Sequence, residues 1–181
     1  MALMDQNLVL SSAQAVTATA VSTNTYDMLQ GALLASSGGT YTVPPPYIIG
    51  NATYFGEDLG LGRGVGTPQI EVFSGSGTPA VATSLQIAAQ GAPDNGGGTI
   101  SGLTFTIYQQ TGAIPLASIL ASTRLARFDL PNRQVGLALP RFLQLDYIVA
   151  GSNFTGLTLT SYINLGGTTA QPTMGLYPSN Y

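Results

Sequence analysis

"RFLQLDYIVAGSNFTGLTLTSYIN", residues 141–164, decides the fold class. In its first half Leu143, Leu145, Tyr147 and Val149 alternate with Phe142, Gln144, Asp146 and Ile148. In its second half Leu157, Leu159 and Ile163 alternate with Thr158, Thr160 and Tyr162. Successive side chains leave a strand on opposite faces, so each half predicts a half-buried β-strand. The "GSNFTG" between them predicts the turn that joins them.

The same reading extends outward. In "LTFTIYQQ", Leu103, Phe105 and Ile107 face one way while Thr104, Thr106 and Tyr108 face the other. Shorter candidates are "AQAVTATAV" from Ala13, "QIEVF" from Gln69, "SLQIAA" from Ser84 and "TRLARFDL" from Thr123. Breakers separate them: "GSGTP", "GAPDNGGG", "TGAIP" and "LPNRQ". About seven or eight short strands with turns between them predict a sandwich, barrel or jelly roll. No run combines helical period with caps. "YDMLQGALLASSGG" comes closest, with a helix ending at Gly38 and a loop as equal readings. From about residue 28 to 56 the chain is too irregular for a strand and reads as a long inserted loop. Loops of that length are uncommon in compact domains unless they have a task.

Composition agrees. The 181 residues suit one domain, and 44% are hydrophobic against 7% charged. With 23 Gly and 11 Pro this is an all-β composition rather than a disordered one. The domain is expected to span residues 1–181, with an N-terminal arm (about 1–10), the inserted loop and an extended tail (about 170–181). The net charge is −3, and five arginines without a lysine make a poor counterion-displacing surface, so no nucleic-acid partner is expected. The opening "MALMDQNLVL" lacks the basic start of a secretion signal. Pro140, Arg141 and Asp146 break the most apolar stretch, so no membrane partner is expected either.

The residues that most enzymes rely on are scarce. Without His, Cys or Lys there is no Ser-His-Asp or Cys-His arrangement and no Schiff-base lysine. "GLGRGVG", residues 60–66, invites a phosphate-loop reading. A dinucleotide fingerprint would need glycine where Val65 or Thr67 stands, and a phosphate loop would need lysine. The segment leads into a strand, so it reads as a flexible turn. Asp129 and Asp146 could meet across strands as a hydrolytic pair. Asp94 and Asn95 in "APDNGGG" could supply oxygen to calcium, though a plain turn explains them better. No enzyme activity and no cofactor are expected.

Several stretches resemble one family, the small cement or decoration proteins of tailed-phage heads, of the type known from a Bordetella phage. "MALMDQNLVLSSAQAVTATAVSTNTYD" resembles their N-terminal arm and first strand. "DLGLGRGVGTPQIEV", from Asp58, resembles an Asp-Leu-Gly-x-Gly-Arg element leading into a strand. "LPRFLQLDYIVAGSNFTGLTLTSYI", from Leu139, resembles a strand and the hairpin after it. Gln144 stands where the pattern has a basic residue, and residues 28–56 look inserted. The resemblance covers about half the chain. It implies an antiparallel β-sandwich of jelly-roll type that binds the outer surface of a phage head and joins neighbouring major capsid subunits. It implies a structural virion protein at the capsid surface, made in the host cytoplasm. A phage tail or fibre module, or a carbohydrate-binding jelly roll using Tyr108, Tyr147 and Tyr162, are the alternatives.

Partner contacts are expected at two places. Arg63 lies in the glycine-rich loop and Arg141 opens a strong strand; arginine is enriched at interface hot spots. Solvent exposure, or pairing with Asp58 or Asp146 within the chain, is the competing reading for each. Pro44, Pro45 and Pro46 favour an extended path, flanked by apolar Tyr41, Tyr47, Ile48 and Ile49. That segment reads as a contact arm toward a neighbour or as a cover for this domain's own end. Low charge with mean hydropathy +0.25 predicts a homo-oligomer (dimer or trimer) or a capsid-bound form rather than a free monomer.

Overall fold

The computed structural model describes residues 8–28, 32–36, 41–42, 47–49, 52–54, 68–94, 99–130 and 140–164. Its strands are β1 (Val9–Ala15), β2 (Ala20–Val21), β3 (Asn24–Asp27), β4 (Ala32–Ala35), β5 (Tyr41–Thr42), β6 (Tyr47–Ile49) and β7 (Ala52–Tyr54). They continue as β8 (Gln69–Ser74), β9 (Ser84–Ala92), β10 (Thr106–Gln110), β11 (Ile114–Pro115), β12 (Arg124–Asp129), β13 (Phe142–Ala150) and β14 (Thr158–Asn164).

One sheet has the order β1-β14-β8-β12; the other runs β10-β9-β13-β3-β4-β5, with β2 also on β13 and β11 on β9. The described pairings are antiparallel. The pairs nest: first strand with last, β3 with β13, β8 with β12, β9 with β10. A long antiparallel ribbon rolled in this way is a jelly roll, one of the all-β architectures, with sandwich and barrel, that the alternating patterns left open. The insertion falls between the second strand of the roll (β2–β3) and the third (β8).

The alternation in residues 141–164 places the core. Leu143, Leu145 and Tyr147 of β13 and Leu159 and Ile163 of β14 meet Leu10, Ile70, Val72, Leu85 and Ile87 between the sheets. A polar bridge crosses this layer. The Tyr147 hydroxyl lies 2.9 Å from Ser11 Oγ on β1 and 2.9 Å from Ser161 Oγ on β14. All three residues are buried. Phe142, of opposite parity, joins Leu34 and Ala92 in a second apolar cluster on the outward side of the second sheet.

Three expectations need correction. The stretch expected to be a loop or helix forms a hairpin, in which β4 pairs with β3 from Asn24↔Ala35 to Asp27↔Ala32. The open edge of β3 offers ladder partners. Leu33 enters the main core and Leu34 the second cluster, the two-sided burial of a strand. The inserted segment continues with β5 on β4 and a separate β6–β7 hairpin. Strand β1 begins at Val9, with Leu8 and Leu10 in the core, so the sandwich already includes the end of the expected arm. Finally, Ile107 is exposed, while Leu103 and Phe105 pack on the second cluster. A register shift between Ile107 and Gln109 on the edge strand β10 breaks the period there.

Candidate functional site

The ribbon topology gathers the connections 16–19, 75–83, 111–123 and 151–157 at one end of the sandwich. None of these four contains a charged residue. Backbone hydrogen bonds lace them together. Val16 N–H donates to Leu157 and Phe154 N–H to Thr17 (3.0 and 2.7 Å). Ala80 and Thr155 exchange two bonds of 3.0 Å. Ser122 N–H reaches Gly75 (2.8 Å), Leu116 N–H reaches Thr83 (3.1 Å), and Thr83 N–H reaches Ala150 (3.0 Å). Gly151 closes the β13–β14 turn at φ +83, against Thr83, where a Cβ would lie 2.2 Å from Thr83 Oγ1. Backbone hydrogen bonds thus tie the four connections to one another, with Ile119, Phe154 and Leu157 of these connections anchored in the core.

Two aliphatic side chains project from it: Val81, 62% exposed, and Leu120, 61% exposed. Val81 has φ +81. Ala82 N–H donates back across it to the Ala80 carbonyl (3.1 Å), which makes Val81 the centre of a γ-turn of the rarer, strained hand. Positive φ in a β-branched residue costs roughly 1–3 kcal/mol and persists only where neighbours fix it. The two bonds between Ala80 and Thr155 do so here. Leu120 is fixed by its carbonyl, which accepts from the hydroxyls of Ser74 and Thr123.

The opposite end has different chemistry. The Arg141 guanidinium, with 9% of its side chain exposed, binds both oxygens of the fully buried Asp27 through Nε (3.1 and 3.2 Å) and Nη2 (2.9 Å). Its Nη1 reaches Asp94 Oδ1 at 2.8 Å, and its Cζ lies 4.9 Å from the centre of the Phe142 ring. The hydrogen bond to Asp27 raises the Arg141 pKa further above its usual value, and burial only partly opposes this. Arg141 is thus engaged inside the chain, with Asp27 and Asp94 rather than Asp146; Asp58 lies outside the described residues. Of the other expected contact residues, Tyr41 lies in β5 and Tyr47, Ile48 and Ile49 in β6. Pro44, Pro45, Pro46 and Arg63 lie outside the described residues, as does the tail about 170–181.

The outward face of the first sheet carries a stacked pair, Phe73 and Tyr162, with ring centres 5.8 Å apart. Glu71 beside it receives the Tyr162 hydroxyl (3.3 Å) and Arg124 Nη1 (3.4 Å). Burial, reinforced by Glu71, pushes the Tyr162 pKa up to about 12. Arg127 Nε is buried with no hydrogen-bond partner among the described residues. Asp129 and Asp146 belong to different sheets, and each takes an amide, from Gln69 (2.7 Å) and Gln90 (3.1 Å) respectively. Burial raises the Asp146 pKa and the Gln90 bond partly offsets it. Tyr147, one of the three tyrosines considered for glycan stacking, is enclosed in the core. Among the described residues no cluster of three acidic side chains could hold a metal, and no helix is long and apolar enough to cross a membrane.

Val81 and Leu120 were missed in the sequence. The available signal was that "GSGTP", "TGAIP" and "GSNFTG", together with 16–19, all lack charge. Only the topology brings them to one surface. No family model matches the chain, and no curated protein matches it.

Proposed function

We propose that this chain is a structural virion protein, a cement or decoration protein that binds the outside of a tailed-phage head and joins neighbouring major capsid subunits. The observation that carries the reading is the agreement between resemblance and fold. The three resembling stretches fall, in order, on β1–β3, on the approach to β8 and on the β13–β14 hairpin, and the jelly roll they imply is the fold of the chain. The physical features suit such work. Backbone hydrogen bonds lace the loop end together, and its small Thr, Ser, Gly and Ala side chains lose little entropy when a contact forms. Repetition on a symmetric lattice adds avidity, so each contact can be modest.

Co-sedimentation tests this. Purified protein mixed with heads that lack it is expected to pellet with them, to saturate, and to raise their resistance to heat or mild denaturant. Failure to bind, with glycan-array binding instead, would replace this reading with a carbohydrate-binding jelly roll. Recovery with tails but not heads would replace it with a tail or fibre module.

A further inference from the structure

We propose that the open edge of β12 takes an extended acidic segment of a partner protein as an added antiparallel strand, with Arg127 binding the segment's carboxylate. Two independent observations meet there: an arginine donor without an acceptor, and a sheet edge without a neighbour. The inference does not depend on the decoration reading. Arg127 lies on the outward face of the first sheet, directly opposite Glu71 and two residues before Asp129. Among the described residues it pairs with neither. Arg124 and the Tyr162 hydroxyl take Glu71, and the Gln69 amide takes Asp129. The Arg127 Nε is buried with no hydrogen-bond partner. A charge placed only to guard a sheet edge keeps its donors in water. A buried donor left unmade is costly, so this one is set for an acceptor that comes from outside the chain.

The backbone identifies the occupant. β12 ends the first sheet, and among the described strands only β8 lies beside it. Leu130 N–H donates to the Pro68 carbonyl at 3.1 Å. The antiparallel ladder alternates from there: Phe128 and Ala126 turn their backbone groups to β8, and Asp129 and Arg127 turn theirs to the open side. The register is unbroken from Ala126 to Asp129. The sheet's other edge, β1, carries two register shifts and holds Ala13 at φ 46, so it presents no such run. An added strand sets the residue opposite Arg127 on the same outward face, with Cβ atoms ~4.5–5.5 Å apart. Glu or Asp at that position reaches the guanidinium and makes a charge-assisted bond. The segment's neighbouring residues face inward, beside the core residues Ala126 and Phe128, and are therefore apolar. Nucleic acid and lipid headgroups offer an anion but no row of alternating N–H and C=O groups, so this edge selects a peptide.

Nitrogen–proton correlation NMR of the full chain tests this. The Arg127 Nε–H signal and the backbone amides of Arg127 and Asp129 are followed while the peptide acetyl-Val-Thr-Val-Glu-Val-Thr-Val-amide is added. All three signals are expected to shift together and to saturate. The same peptide with Gln in place of Glu should bind about tenfold more weakly, the loss of one charge-assisted bond. Arg127→Gln should weaken the Glu peptide by a similar factor, leave the Gln peptide unchanged and melt like the wild type. If that variant does not fold, the two peptides on the wild-type chain still decide. Absence of saturable shifts, equal binding of the two peptides, or shifts confined to another edge would overturn the proposal. So would acetate moving the Nε–H signal while the peptide leaves the Asp129 amide unmoved, which marks a site for small anions. So would a dimer, seen by sedimentation velocity, that Arg127→Gln abolishes while neither peptide binds, which puts a second copy on this edge. Co-sedimentation with heads bears on the decoration reading and not on this contact.

Discussion

Replacing Arg141 by Met should be the most damaging single change at the charged end. The substitution keeps an unbranched apolar stem of similar length and removes the guanidinium. Asp27, fully buried, then loses the cation that spans both its oxygens. Removing one partner of a buried pair costs about 3–5 kcal/mol, because the remaining charge is left in a poor dielectric. Asp94 adds little: its side chain is 44% exposed, so water replaces the lost contact, an effect of ~0–1 kcal/mol. Lost attraction between the cation and the Phe142 ring adds about 0.5–1 kcal/mol. A total of about 5 kcal/mol is a large part of the ~5–15 kcal/mol by which a domain is stable. At about 2–4 °C per kcal/mol for a chain of this size, the Tm should fall by roughly 10–20 °C. Urea titration by circular dichroism, with the thermal melt, measures it. The double variant Asp27→Leu/Arg141→Met removes both charges and should recover part of the loss. A loss below about 1 kcal/mol, or a double variant no more stable than the single one, would refute the reasoning from a buried carboxylate that has lost its cation.

Three further outcomes follow from the cross-sheet bridge and the shifted groups. Tyr147→Phe strips Ser161 of its partner in the core and should cost about 1–3 kcal/mol, read from the urea midpoint; a neutral result would mean that the bridge is not under strain when broken. Asp146 has its pKa raised above 3.8 by burial, so the folded chain holds that proton more tightly than the unfolded one, and this group's contribution is lost as pH rises through its folded pKa. Asp146→Asn should therefore be the more stable protein at pH ~7, with the two curves converging in acid; equal stability at neutral pH would contradict this. Tyr162, raised from 10.0 to about 12, contributes stability that is complete below pH ~10 and is lost as pH climbs through its folded value. Tyr162→Phe should flatten the alkaline side of the stability curve, and an unchanged alkaline slope would contradict the assignment.

The strands of residues 141–164 were legible because the side chains on one face are, Ser161 apart, apolar and enter the core, while the other face mixes polar residues such as Gln144, Asp146, Thr158 and Thr160 with Phe142 and Tyr162. β3 and β4 were less so: "MLQGALL" is apolar enough to suit either period, and its register depends on the edge of β3. Ile107 was misplaced because a bulge is a property of two strands in register, which one strand's pattern does not contain. Arg141 was legible as a residue with work to do, but its partners Asp27 and Asp94 lie far off in sequence and meet it only where β3, β9 and β13 end side by side. Val81 is the clearest limit. Valine gives no hint of positive φ, and the turn that imposes it is set by Thr155 on a different connection. The charge-free loop end was written in four separate breakers whose meeting is a consequence of the rolled ribbon.

Cryo-electron microscopy of intact heads from particles that encode this chain tests the central claim most directly. The account predicts density for a jelly roll of this size on the outer surface, in many symmetry-related copies, seated across the boundaries between major capsid subunits. Heads whose outer surface lacks that density, from particles in which mass spectrometry finds the chain only in tails or not at all, would contradict it.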